Sequence, residues 1–239
     1  MPPEPWRGGD HPRSRAFAGI AAAIVSSGLV PRGALTLDAG ERVGTLAGVS
    51  TIVLIGMAGR GGWDAFAASA EARDGQEHPL DRFSRRVVGA LAADLGAAPL
   101  FPFEGPPYHP FQQWARRAEL LHPSPLGLLI HPTWGLWHSY RGALAFADDL
   151  ALPSREAAPS PCDACPERPC LSTCPVGAFS ERGYDTAACA AHLAAPAGED
   201  CMHGGCLARR ACPVGREHAH GAGQASFTMR AFLRARAAP

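Results

Sequence analysis

The sequence predicts an α+β protein in two parts: a mixed sheet with helices over residues 15–152, and a small cysteine-rich domain over residues 162–215. Three observations predict it. The β-branched apolar run Thr51-Ile52-Val53-Leu54-Ile55 reads as a strand buried at the centre of a sheet. Leu80, Phe83, Val87, Val88, Leu91 and Leu95 recur on one face of a helix that Pro79 opens. All eight cysteines lie between Cys162 and Cys212, behind a Pro-, Ala- and Ser-rich linker at 153–161. With 239 residues, 46% of them hydrophobic, the chain is long enough to bury a sizeable core.

Composition excludes several classes of function. Lys+Arg and Asp+Glu balance at 22 each, which argues against nucleic acid or an anionic membrane surface as partner. No lysine occurs, so neither a P-loop lysine nor a Schiff-base mechanism is open to the chain. Arg13 and Arg15 before the apolar run 16–25 imitate a signal peptide, but the run reads as a first helix and is too short to span a bilayer. Cysteines confined to one segment suit a metal site in a reducing compartment, and the expected location is the cytoplasm.

In order, residues 1–14 are Pro- and Gly-rich and predict a frayed terminus. A helix over Ala16–Ser26 precedes a short strand at Ala34–Asp38 and the strand from Thr51. Gly56, Gly59, Gly61 and Gly62 then make a tight turn into a helix starting near Trp63. Their spacing is not that of a dinucleotide fingerprint. The Pro79 helix turns Arg82, Arg85 and Arg86 away from its apolar stripe, toward solvent. Five prolines in Pro99–Pro110 predict a stiff loop carrying Phe101, Phe103 and Tyr108. A helix over Phe111–Leu121 leads to two apolar runs, Leu126–His131 and Leu136–Ala147, joined by a turn at Pro132–Gly135 and read as a hairpin. The tail, 216–239, contains His218 and His220 and then Phe227, Met229, Phe232 and Leu233, which predict a short amphipathic helix packed back on a domain.

The cysteines form two runs, Cys162-x2-Cys165-x4-Cys170-x3-Cys174 and Cys189-x11-Cys201-x4-Cys206-x5-Cys212, each closing in Cys-Pro-Val-Gly. Three closely spaced thiolates followed by Cys-Pro is how bacterial ferredoxins wrap a cubane, and there the fourth cysteine of a run ligates the other cluster. Two [4Fe–4S] clusters are therefore expected, one on Cys162, Cys165, Cys170 and Cys212, the other on Cys174, Cys189, Cys201 and Cys206. The x4 and x5 spacings are looser than the usual pattern. Two structural zinc sites, with His192 and His203 as further ligands, are the alternative for eight cysteines.

The order of elements, an α/β domain, a hairpin, a Pro linker and a two-cluster module, resembles epoxyqueuosine reductases and reductive dehalogenases, which bind cobalamin in the first domain and reduce it with the clusters. The stretch Gly127 to Gly142 resembles the matching stretch of the cobalamin-processing CblC family, with its Ile-His-Pro, a Trp and an Arg-Gly, although Leu136 replaces the family's second Gly. The resemblance implies a flavin-reductase- or nitroreductase-like fold for the first domain and a ferredoxin-like fold for the second. It also implies a cobalamin pocket lined by His131, Trp137 and Arg141, with flavin as the alternative occupant. Trp137 and Arg141 also fit a cation–π pair on a sheet face that binds nothing.

The function these readings predict is an iron–sulfur oxidoreductase whose two clusters relay electrons to a corrinoid, with a ferredoxin, flavodoxin or reductase as donor and His131 or His109 as candidate axial ligand or proton donor. A ferredoxin-like electron carrier whose first domain binds a partner or flavin is the alternative. Action on tRNA is disfavoured by the balanced charge, and Glu104 is only a loose positional match for the acidic proton donor it would need.

Overall fold

The computed structural model describes residues 16–42, 44–119, 121–154, 158–180 and 183–237. The terminus expected to fray, 1–14, and part of the linker at 153–161 lie outside these residues. The elements in order are α1 (Phe17–Ser26), β1 (Val30–Thr36), β2 (Thr51–Ala58), α2 (Trp63–Ala67), α3 (Pro79–Leu95), β3 (Ala98–Leu100), α4 (Phe111–Ala118), β4 (His122–Pro123), β5 (Leu129–Ile130) and β6 (His138–Phe146). Then follow α5 (Pro169–Ser172), β7 (Phe179–Ser180), β8 (Gly183–Tyr184), α6 (Thr186–Ala194), α7 (Glu199–Gly204), α8 (Leu207–Arg210) and α9 (Ala222–Ala237). The protein is α+β. Its internal contacts divide it into a first unit, Met1–Met57, Gly61–Glu119 and Ser139–Ala157, and a second, Ala58–Arg60, Leu120–His138 and Ala158–Pro239. Among the described residues no helix is long and apolar enough to cross a membrane.

The first unit is built on a four-stranded sheet ordered β1-β2-β6-β3, with β1 antiparallel to β2 and β3 antiparallel to β6. Every residue of β2 is buried, as its unbroken apolar run requires of a strand covered on both faces. Pro79 is the first residue of α3 and Gly96 ends it in the left-handed conformation, so both ends follow from the sequence. Arg82, Arg85 and Arg86 are each ion-paired, with Asp74, Glu104 and Glu71 respectively, rather than simply solvated. Pro99 enters a strand after all: β3 lies at the sheet edge, where a missing N–H costs no ladder bond. Phe101 is buried and stacks on Phe103, while Tyr108 stays exposed.

Two expectations are corrected. The first strand begins at Val30, earlier than Ala34, because Pro31 and Arg32 break the apolar pattern that would have revealed it. Arg32 is fully buried there. Its Nε and Nη2 donate to the two carboxylate oxygens of Glu119 at 2.8 and 2.7 Å, and the Tyr140 hydroxyl donates to the same carboxylate at 2.5 Å. A buried charge is tolerated only when paired in this way. The second correction concerns the hairpin. β5 pairs with β4, His122 opposite Ile130, whereas β6 lies in the main sheet between β2 and β3. The chain between them closes on itself through paired backbone bonds of 2.8 and 2.9 Å joining His131 and Gly135. Both runs are apolar enough to pair, but the periodicity of a strand does not name its neighbour.

The second unit is made of short helices around the cysteines. The last helix, α9, packs on α6 and α7, as expected of the tail around Phe227 to Leu233, but at 16 residues it is longer than the short helix expected.

Candidate functional site

All eight cysteines are free thiols. Cys162 and Cys165 sit on a turn, with the Cys165 N–H donating to the Cys162 carbonyl at 3.3 Å, and Cys170 lies on α5, which Pro169 opens. Cys212 comes from far along the chain, just after α8. Burial pushes the Cys162 thiol up, and charge on Cys212 and Cys165 pushes the same way. The Cys170 thiol is likewise raised by burial, then by Cys212, Cys162 and Cys165. These four thiols line one cavity, whose remaining wall is apolar and proline-rich apart from Arg168.

The other four form a second group. Cys189 on α6 is raised by burial and by charge on Cys174 and Cys201, and Cys206 by burial and by Cys201 and Cys189. Which thiol senses which therefore sorts the cysteines into the quartets 162/165/170/212 and 174/189/201/206. In each, one cysteine crosses from the other run. Among the described residues no three His, Cys, Asp or Glu side chains converge as a single-ion site requires.

Several donors face the sulfurs of the second quartet. The Ala178 N–H donates to Cys174 Sγ at 3.3 Å. The N–H groups of Arg209 and Ala208, in the first turn of α8, hold the Cys206 thiol down against the upward push of burial. The Tyr184 hydroxyl does the same for Cys189, and the Tyr184 ring stacks on Phe179 at 4.6 Å and on Phe232 at 6.1 Å. In the first quartet the Ser160 hydroxyl accepts from the Cys162 N–H at 3.2 Å and its side chain also lowers the Cys162 thiol. Burial keeps these thiols protonated, the donors that face them favour the thiolate, and a metal that binds them must displace their protons, so ligation and proton release are coupled. The donor set fits thiolate-ligated iron–sulfur groups, in which hydrogen bonds to sulfur and burial tune the potential.

The two Cys-Pro-Val-Gly turns are not equivalent. Gly177, φ +57°, has open space where a Cβ would stand. Gly215, φ +67°, abuts the backbone of Thr133, Trp134 and Gly135, and a Cβ on Gly135 would lie 2.0 Å from the Val214 carbonyl oxygen. The turn at His131–Gly135 is thus packed backbone to backbone on the loop that follows Cys212. His131 holds that turn: its Nδ1 accepts from the N–H groups of Thr133 and Trp134 at 3.0 and 3.2 Å, and its ring stacks on Trp134 at 4.1 Å.

Trp137 is buried beneath Arg209, whose guanidinium carbon stands 4.5 Å from the ring centroid, and His220 meets the ring edge-on at 5.2 Å. Arg209 Nη2 donates to the Leu136 carbonyl at 2.5 Å, while Arg209 Nε, Trp137 Nε1 and Gln224 Oε1 are buried with no hydrogen-bond partner. Burial pulls Arg209 down to about 10 and charge on Cys206 pulls back up. Burial and the Arg209 charge hold His220 down to about 3.

Of the pocket residues read from the sequence, His131 and Trp137 belong to the second unit and Arg141 to the first. Arg141 Nη2 donates to Asp81 at 2.6 Å and Nε to the Ser84 hydroxyl at 3.2 Å, and its guanidinium lies 5.6 Å from the Phe103 ring centroid. Its cation–π partner is therefore Phe103, and Arg209 takes that place over Trp137. His109 stacks on Trp114 at 5.5 Å and burial lowers its pKa. Glu104 pairs with Arg85, and the Nε2 of His192 is buried without a hydrogen-bond partner. Arg209 and Tyr184 were not singled out in the sequence, and His220 was noted there only as a residue of the tail. Only the position of Arg209, three residues after Cys206, hinted at a role.

No protein-family model, curated protein or solved structure matches the chain.

Proposed function

We propose that the chain is an iron–sulfur oxidoreductase in which two [4Fe–4S] clusters, one on each cysteine quartet, receive electrons from a donor protein and pass them to a corrinoid bound by the N-terminal domain. The observation that carries the electron-transfer part is the division of eight thiols into two quartets that exchange one cysteine each, the arrangement two-cluster ferredoxins use. When bound, the clusters supply one-electron steps. The chain's own residues hold the thiolates, keep water from them and aim N–H and O–H donors at sulfur. The corrinoid, and the nitroreductase-like and ferredoxin-like folds, are supported by the resemblance around Gly127–Gly142 and by element order.

The crossing is tested by Cys212→Ser. Although Cys212 stands in the second run, its loss removes the cluster of Cys162, Cys165 and Cys170, leaving about half the iron of two cubanes and one intact spectroscopic species. Disturbance of both clusters contradicts the pairing. The acceptor is tested by titrating the loaded protein with cobalamin: binding shifts the visible spectrum, and no shift at saturation removes the corrinoid from the account.

One observation favours a second reading, an electron carrier whose first domain binds a partner or flavin. The Trp137 face is covered by Arg209, and the Arg141 donors are committed to Asp81 and Ser84. If Trp137→Ala and Arg141→Ala leave every measurable activity intact while cluster reduction persists, this second reading holds.

A further inference from the structure

Arg209 is a buried cation without an anion to match. Among the described residues no carboxylate pairs with it. Its Nη2 is satisfied by a neutral carbonyl, its Nε by nothing, and its face by the Trp137 ring. A guanidinium keeps its proton under any physiological condition, so its charge cannot be shed. Neutral contacts of this kind offset only part of the cost of removing a full charge from water. Among the described residues the opposing charge that acts on it is that of Cys206, three residues before it at the start of α8.

Resting on the reading of the second quartet as a cluster site, we infer that Arg209 is the counter-ion of that site and sets its reduction potential. Four thiolates around a cubane carry net negative charge, and reduction adds one electron more. A cation fixed nearby in a medium of low dielectric stabilises the reduced form more than the oxidised form and raises the midpoint. Trp137 and the Leu136 carbonyl hold the guanidinium in place, and α8 connects it rigidly to Cys206: the residue whose side chain carries the charge also donates its backbone N–H to the sulfur. The first quartet has no equivalent. The cations beside it, Arg168 in the cavity wall and Arg216, whose Nε donates to the Cys212 carbonyl at 3.3 Å, are both exposed, where water screens their charge. The two clusters therefore differ in potential, the one on Cys174, Cys189, Cys201 and Cys206 being the easier to reduce. Electrons reaching the chain would come to rest there.

The test uses the full chain, reconstituted anaerobically with iron and sulfide and titrated with dithionite against mediators while each cluster is followed by EPR. Arg209→Gln and Arg209→Met remove the charge with different packing, Arg209→Lys keeps it, and the Cys212→Ser background identifies the second cluster. In both neutral variants the second midpoint falls while the first stays put, and Lys lies nearer the wild type. Should the neutral variants fail to hold the second cluster while Lys retains it, the same counter-charge is expressed in assembly. Fully loaded neutral variants with both midpoints unmoved overturn the inference, as does loss of the cluster from all three variants. Iron and sulfide on the wild-type sample are measured first, so that a chain without cubanes overturns the cluster reading itself and is not mistaken for a failure of Arg209.

Discussion

Alanine at Gly135 and at Gly177 is the same chemical change at the same kind of backbone, and the structure assigns it different costs. Both glycines have positive φ, +55° and +57°. Left-handed backbone costs an L-residue about 1–2 kcal/mol, so Gly177→Ala, where nothing stands in the way of the new methyl, loses about that much. At Gly135 the methyl would lie 2.0 Å from the Val214 carbonyl oxygen, and backbone on both sides of the contact must separate. Overpacking of that sort adds about 1–3 kcal/mol, for a total of roughly 2–5 kcal/mol. Because Val214 is two residues from Cys212, the displacement also reaches the first quartet. Urea unfolding of the loaded protein measures the difference directly, and iron content measures the consequence. Gly135→Ala is expected to unfold at lower urea and to retain less iron than Gly177→Ala. Equal midpoints and equal iron in the two variants would refute the interlock of the His131–Gly135 turn with the loop after Cys212.

The buried trio of Arg32, Glu119 and Tyr140 predicts that Glu119→Gln destabilises the first unit by about 3–5 kcal/mol, because it removes the carboxylate charge that buried Arg32 donates to. In urea unfolding the double variant Arg32→Met, Glu119→Leu is expected to recover much of that loss; no recovery would mean the ion pair is not what the substitution broke. His220 predicts an acid sensitivity. Its folded pKa is depressed to about 3, below the unfolded value near 6.5, so the unfolded chain binds the proton first. Its contribution is complete above that unfolded value and is lost as pH falls from there toward 3, at no more than about 1.4 kcal/mol per unit. Between neutral pH and pH about 5, the wild type therefore loses more stability in urea than His220→Gln. Parallel losses would assign the acid sensitivity to other groups.

Much of this was legible in the residues. The strand at Thr51, the start of the helix at Pro79 and the concentration of cysteines are local signals, and each formed where its pattern stood. The strand at Pro31 and Arg32 was not legible, since a buried charge looks like a surface one until its partner, Glu119, is brought to it from elsewhere in the chain. The hairpin failed for a related reason: the alternation of a strand encodes a face but not a neighbour. At the candidate site the ligand types were legible from chemistry. The role of Arg209 was not, because an arginine beside a cysteine run reads as solvated until its burial over Trp137 is known. Gly135 and Gly215 lie eighty residues apart and nothing local ties them together.

What the eight thiols hold decides what the protein can do. Anaerobic purification followed by iron and acid-labile sulfide quantification tests it most directly: about eight iron and eight sulfide per chain are expected of two cubanes. Zinc in place of iron, at about two per chain and without sulfide, is the result that would contradict it.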